Sequence, residues 1–127
     1  MKTILVDAIN GLILEDGSIQ KEMYDLLESY PNPKIVLTGA NDEQWRHFKL
    51  DGSPYEVFTL KHDPEKTDPK YFEFLFQKYN LGVNDVIYFE HSKEATATAE
   101  SLGIKTYYYD HTRQDIAALK SFIDSSL

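Results

Sequence analysis

The chain has 127 residues with a formal net charge of -8, 42% hydrophobic and 27% charged. That balance excludes a disordered chain, and the acidic excess argues against nucleic-acid or acidic-membrane partners. Cysteine is absent, which excludes disulfides and thiolate metal sites and fits a cytoplasmic location, and no apolar run reaches the roughly 18 residues of a membrane helix.

The first expected element is a strand, Ile4-Leu5-Val6, ending at Asp7. Short, unbroken aliphatic runs of this kind mark parallel strands buried on both faces. Asp7 and Asn10 interrupt the apolar amino terminus, and no small-residue cleavage site follows, so a signal peptide is not expected. Ser18 reads as the N-cap of a helix carrying Ile19, Met23, Leu26, Leu27 and Tyr30, stopped by Pro31 and Pro33. The second strand, Ile35-Val36-Leu37, ends at Thr38. Asn41 then caps a short helix in which Trp45 and Phe48 face the core, and Val57-Phe58-Thr59-Leu60 is the third strand.

Asp68-Pro69 opens a stronger helix with the stripe Phe72, Leu75, Phe76 and Tyr79. The fourth strand, Val86-Ile87-Tyr88-Phe89, ends at Glu90; Ser92 begins a helix closed by Gly103. The fifth strand runs from Ile104 to Tyr109, with the tyrosines Tyr107 to Tyr109 packing both of its faces. Thr112 with Asp115 starts a last helix carrying Ile116, Leu119, Phe122 and Ile123.

This alternation predicts an α/β, three-layer Rossmann-like fold: a five-stranded parallel sheet with helices on both faces, as a single domain over residues 1–127. Ligands of such sheets bind beyond the carboxyl ends of the strands. Asp7, Thr38 and Glu90 hold those positions, an acid, a hydroxyl and an acid. The four histidines, His47, His62, His91 and His111, show no metal-ligand spacing.

The residues at these strand ends resemble the motifs of the haloacid dehalogenase (HAD) superfamily of aspartate-nucleophile phosphohydrolases. Asp7-Ala8-Ile9-Asn10-Gly11 is similar to the first motif, Asp-x-Asp-Gly-Thr, in degenerate form, and Leu37-Thr38-Gly39 to the second. Lys66-Thr67-Asp68-Pro69 resembles the third motif's lysine before a helix; Lys61-His62-Asp63-Pro64 has the same spacing but cannot open the long helix, because Pro69 follows too soon. Glu90 and Glu94, with the helix ending at Gly103, resemble the fourth motif with glutamates in place of aspartates.

The resemblance implies that Asp7 is the nucleophile and that Thr38, Gly39 and Lys66 bind the phosphoryl group. It implies Mg2+ held by Asp7, the Ile9 backbone carbonyl and Glu90, with Asn10, His91 and Glu94 as accessory candidates. The second aspartate of the first motif, the family's proton carrier, aligns with Ile9 without a gap or with Asn10 after one insertion, and neither exchanges protons near neutrality. The segments between motifs leave no room for a cap domain.

Structural readings stand beside each of these. Asp7 also suits a carboxylate binding loop amides, Glu90 and Glu94 suit acids placed at a helix start, and His91 suits an ordinary surface or core histidine. Three functions follow: a Mg-dependent phosphatase acting on a phosphorylated small molecule or macromolecule; a non-catalytic phosphate-sensing or protein-interaction module; and a PIN-like metal nuclease.

Overall fold

The computed structural model describes residues 1–127. Its strands are β1 (Thr3–Asp7), β2 (Lys34–Thr38), β3 (Glu56–Thr59), β4 (Val86–Glu90) and β5 (Lys105–Tyr108), and its helices α1 (Lys21–Glu28), α2 (Asp42–His47), α3 (Pro69–Tyr79), α4 (Lys93–Ser101) and α5 (Ile116–Ser126). All five strands pair in parallel in the order β3-β2-β1-β4-β5. No helix is long and apolar enough to cross a membrane.

The strand period of two divides the apolar residues between two cores. Ile4, Val6, Val36, Ile87 and Phe89 pack with Met23 and Leu27 of α1 and Leu119 and Ile123 of α5 on one face. Leu5, Ile35, Leu37 and Tyr88 pack with Tyr71, Phe72 and Leu75 of α3 and Ala99 of α4 on the other. The expected three-layer α/β architecture is therefore present.

Local chemistry moves several boundaries. Gln20, not Ser18, caps α1: its side chain accepts from the Met23 N–H at 3.0 Å. Ser18 is unavailable because both its N–H and its hydroxyl bond Asp16, in a turn that Gly17 completes at φ +86°. Ile19 consequently lies outside the helix and is exposed. At the other end Asp115 caps α5 through the Ala118 N–H, whereas Thr112 bonds Asp110. β5 is an edge strand that stops at Tyr108, so the three tyrosines do not all pack on it: Tyr107 meets Phe122, Tyr108 is exposed, and Tyr109, just past the strand, is buried. Trp45 is half-buried against the first core and donates to Asp51 at 2.8 Å.

The chain builds β1, β2 and β3 outward in one direction and then returns to lay β4 on the other side of β1. The carboxyl ends of β1 and β4 flank that reversal, where a crevice opens. Val6 pairs with Phe89, which sets Asp7 and Glu90, the next residue of each strand, side by side.

Candidate active site

Asp7, Thr38, Lys66 and His91 line one cleft of about 270 Å³, with Ile9, Gly39, Ala40, Gln44, Phe48, His62 and Glu65. Glu90 stands directly behind it, fully buried and bonded to Lys66. Residues 59 and 24 apart in sequence thus meet at one ammonium: Lys66 donates to Asp7 Oδ1 at 3.0 Å and to Glu90 Oε1 at 2.7 Å.

Asp7 is completely buried. Its second carboxylate oxygen accepts from the His91 backbone N–H at 2.9 Å and pairs with the His91 ring Nδ1. Glu90 Oε2 accepts from the Ser92 N–H at 3.0 Å and faces His91 Nδ1 at 3.3 Å, and Tyr88 donates its hydroxyl to Glu90 Oε1. Two carboxylates are thereby matched by one ammonium and one imidazolium, the balance a buried ionic cluster needs.

The titration directions follow from this arrangement. Burial, reinforced by the Glu90 charge, raises the Asp7 carboxyl above its ordinary range. Burial opposes the Glu90 charge as well, but Lys66 and the hydrogen bonds from His91, Lys66 and Tyr88 outweigh it and hold that carboxyl well below the usual range. Burial also opposes the Lys66 charge, and Asp7 and Glu90 overcome it, raising the ammonium. His91 is pushed up to about 10 by its hydrogen bonds to Asp7 and Glu90.

The strand ends beside this cluster are tied to α3 and to its approach. Tyr71 on α3 donates its buried hydroxyl to the Thr38 carbonyl at 2.8 Å and to the Phe58 carbonyl at 3.2 Å, tying the ends of β2 and β3 together. The Thr38 hydroxyl oxygen accepts from the Ala40 N–H at 3.1 Å, so its proton remains free to donate. Asp68 caps α3 through the Lys70 N–H with Pro69 in the first turn, which fixes the helix whose approach carries Lys66.

After β1 the chain folds back tightly, with Leu12 N–H donating to the Asp7 carbonyl at 3.0 Å and Ile13 N–H to the Ala8 carbonyl at 2.9 Å. Gly11 makes this return feasible, because a Cβ there would lie 2.4 Å from the Asp7 carbonyl oxygen. The return also separates Ile9 from Asn10. Ile9 lines the cleft; Asn10 does not, its φ of 69° turning with the loop while its N–H bonds the Ile13 carbonyl at 2.7 Å. The side chain that this loop adds to the cleft beside Asp7 is therefore a hydrocarbon.

Glu94 is exposed in the first turn of α4 and lines no part of the cleft. The cleft also contains residues that motif reading passed over: Gln44, Phe48, His62 and Glu65. Their signal was positional. His62 and Glu65 follow the carboxyl end of β3, the same sheet edge that carries Asp7 and Thr38.

No protein-family model matches the chain, and no curated protein matches it. Solved structures do. A HAD family enzyme from Bacteroides thetaiotaomicron superposes with a TM-score of 0.74 at 15% identity, over 94% of this chain and 98% of that one. An uncharacterized protein from Corynebacterium glutamicum gives 0.71 at 16% identity over 98% and 96% of the two chains. A HAD-superfamily hydrolase of subfamily IA from Geobacter sulfurreducens gives 0.61 at 13% identity over 94% and 96%. The chain has the HAD-like fold. An Asp-to-Ala mutant of the Bacteroides enzyme, a complex with magnesium and inorganic phosphate, shares that HAD-like fold at a TM-score of 0.70 and 14% identity.

Proposed function

We propose that this HAD-like protein is a phosphohydrolase in which Asp7 attacks phosphorus and forms an aspartyl-phosphate. The observation that carries the reading is the convergence of Asp7, Thr38 and Lys66 in one cleft, with Glu90 behind them. In this reading an Asp7 oxygen forms a bond to phosphorus as the ester oxygen leaves, and water then releases phosphate from Asp7. Lys66 stabilises charge on the phosphoryl oxygens while orienting Asp7. The Thr38 hydroxyl donates to a second phosphoryl oxygen, held in place through Tyr71.

The residues present would hold Mg2+ in exchange for the Lys66 and His91 contacts that engage both carboxylates here. Asp7 and Glu90 supply buried carboxylates, and Ile9, whose carbonyl is the third candidate ligand, lines the cleft beside Asp7. These three are hard oxygen ligands of the kind Mg2+ takes; the ligating atoms of Asp7, Glu90 and His91 lie within 4.8 Å of one another. When bound, the ion would neutralise phosphate charge. A single α-helix lies between each pair of successive motifs, α1, α2 and α3 in turn, too little chain for a covering domain, which suits a phosphate presented by a larger molecule. Lys66, the cleft's one lysine or arginine, is engaged by two carboxylates, so nothing there favours a nucleic-acid backbone.

The test is Mg2+-dependent hydrolysis of p-nitrophenyl phosphate by wild type and Asp7→Asn. Turnover lost in Asp7→Asn supports the reading; equal turnover in both overturns it. Ile9 in the cleft favours one second reading, a phosphate-binding module without turnover. Calorimetry showing phosphate binding by a protein inert in the assay would select it.

A further inference from the structure

The proposed chemistry has a gap at Ile9, and the cleft holds a group placed to fill it. In-line displacement sends the leaving oxygen away from the attacking one. Asp7 and Thr38 form the buried floor of the cleft, so the leaving oxygen departs toward its mouth. Ile9, Gln44, Phe48, His62 and Glu65 also line the cleft, and all five are partly or well exposed where Asp7 and Thr38 are buried. Of these, only His62 and Glu65 have side chains that can take up and release a proton. His91 is on the wrong side, with its Nδ1 directed at Asp7 and Glu90.

His62 is held from both ends. Its Nδ1 lies 2.8 Å from Glu65 Oε1, and its Nε2 meets Gln44 Oε1. The Gln44 atom is the amide oxygen, because it also accepts the Asn41 N–H at 3.0 Å in the capping box of α2. Both ring nitrogens therefore face acceptors, an arrangement satisfied when each carries a proton. The ring also seats against the backbone beside Thr38: a Cβ on Gly39 would stand 3.1 Å from His62 Nδ1.

We propose that His62 is the general acid and base of this site, with Glu65 and Gln44 as positioning residues. The proposal rests on the aspartyl-phosphate reading above. In the first half, the bond from Asp7 oxygen to phosphorus forms, the bond from phosphorus to the ester oxygen breaks, and the proton on His62 Nε2 passes from its Gln44 contact to that oxygen, yielding the alcohol. In the second half, neutral His62 takes a proton from water as the water oxygen bonds phosphorus and the Asp7 bond breaks. Phosphate leaves, and both residues return to their starting states.

Protonation matters most for a poor leaving group, so the test compares p-nitrophenyl phosphate with an alkyl phosphate, glycerol phosphate, using wild type, His62→Gln and Glu65→Gln. General acid–base catalysis contributes about 10²–10⁴-fold. His62→Gln is expected to lose about that factor in kcat/KM on the alkyl ester and at least tenfold less on the aryl ester, with Glu65→Gln shifting the same ratio in the same direction. Ile9→Asp added to His62→Gln is expected to restore alkyl-ester turnover by putting a carboxyl at the cleft wall. Equal losses on both esters, or no loss, in an active protein would overturn the role of His62 and leave the Asp7 reading standing. Wild type inert toward both esters overturns both readings together. The rim position of His62, with 37% of its side chain exposed, makes folding of the variant straightforward to verify by circular dichroism.

Discussion

The Lys66 ammonium stands 3.0 Å from the Asp7 carboxylate, and the same nitrogen reaches Glu90 at 2.7 Å. It is one of two cations, with the His91 imidazolium, that balance the two buried carboxylates, so its removal leaves one negative charge without compensation. Breaking a buried pair by deleting one partner costs about 3–5 kcal/mol, and Lys66→Met is expected to lose stability of that order in urea titration. Asp7→Asn is expected to cost less, because burial and the Glu90 charge already oppose the Asp7 charge. Glu90 remains to pair with Lys66 and His91, so this variant is expected to remain folded at neutral pH. A Lys66→Met midpoint unchanged from wild type would show that the cluster is not held as described.

Tyr71 joins two strand ends through one hydroxyl, at 2.8 Å from the Thr38 carbonyl and 3.2 Å from that of Phe58. Tyr71→Phe keeps the ring packing against Phe58 and Phe72 and removes only the donor. Leaving buried acceptors unpaired costs about 1–3 kcal/mol. The expected result is a lower urea midpoint by that amount together with reduced aryl-phosphate turnover, since Thr38 loses its anchor. Loss of stability with turnover intact would separate Tyr71 from the site.

Much of this fold was legible because its strands are short apolar runs that end at polar residues, and that pattern depends on burial on both sides of a parallel sheet. Asp7, Thr38 and Glu90 could be found from that rule alone. Lys66 could not, since its position depends on a crossover that brings its ammonium to the carboxyl ends of β1 and β4. His62 and Glu65 were harder still: they lie in a loop whose backbone carries positive φ at Lys61 and His62, and no periodic pattern marks such a loop. The α1 cap was misread for a local reason, because Asp16 competes successfully for the Ser18 hydroxyl. Glu94 failed to join the site because it falls on the solvent side of the first turn of α4.

Gly11 has no room for a side chain. A Cβ would meet the Asp7 carbonyl oxygen at 2.4 Å and the Asp7 Cβ at 3.0 Å, and both belong to the rigid end of β1. Gly11→Ala is expected to cost about 1–3 kcal/mol by overpacking and to displace Asp7 from Lys66. Thermal unfolding and aryl-phosphate turnover should fall together. Wild-type values for both would mean that the loop relaxes without moving Asp7.

His91 gives the metal-free protein a defined pH dependence. Its pKa is raised from the ordinary 6.5 to about 10 by hydrogen bonds to Asp7 and Glu90, so the folded state binds this proton more tightly than the unfolded chain does. The resulting stabilisation is complete below the unfolded value of 6.5 and is lost as pH rises toward 10. His91→Asn abolishes the titration while leaving the backbone N–H that donates to Asp7 at 2.9 Å. Unfolding temperatures of wild type and His91→Asn in chelator-containing buffer are therefore expected to differ by a constant amount below pH 6.5 and to converge between 6.5 and 10. Taking the difference between the two proteins removes the tyrosine and lysine titrations common to both. A gap that stays flat across that window would mean that His91 is not held as an imidazolium between the two carboxylates.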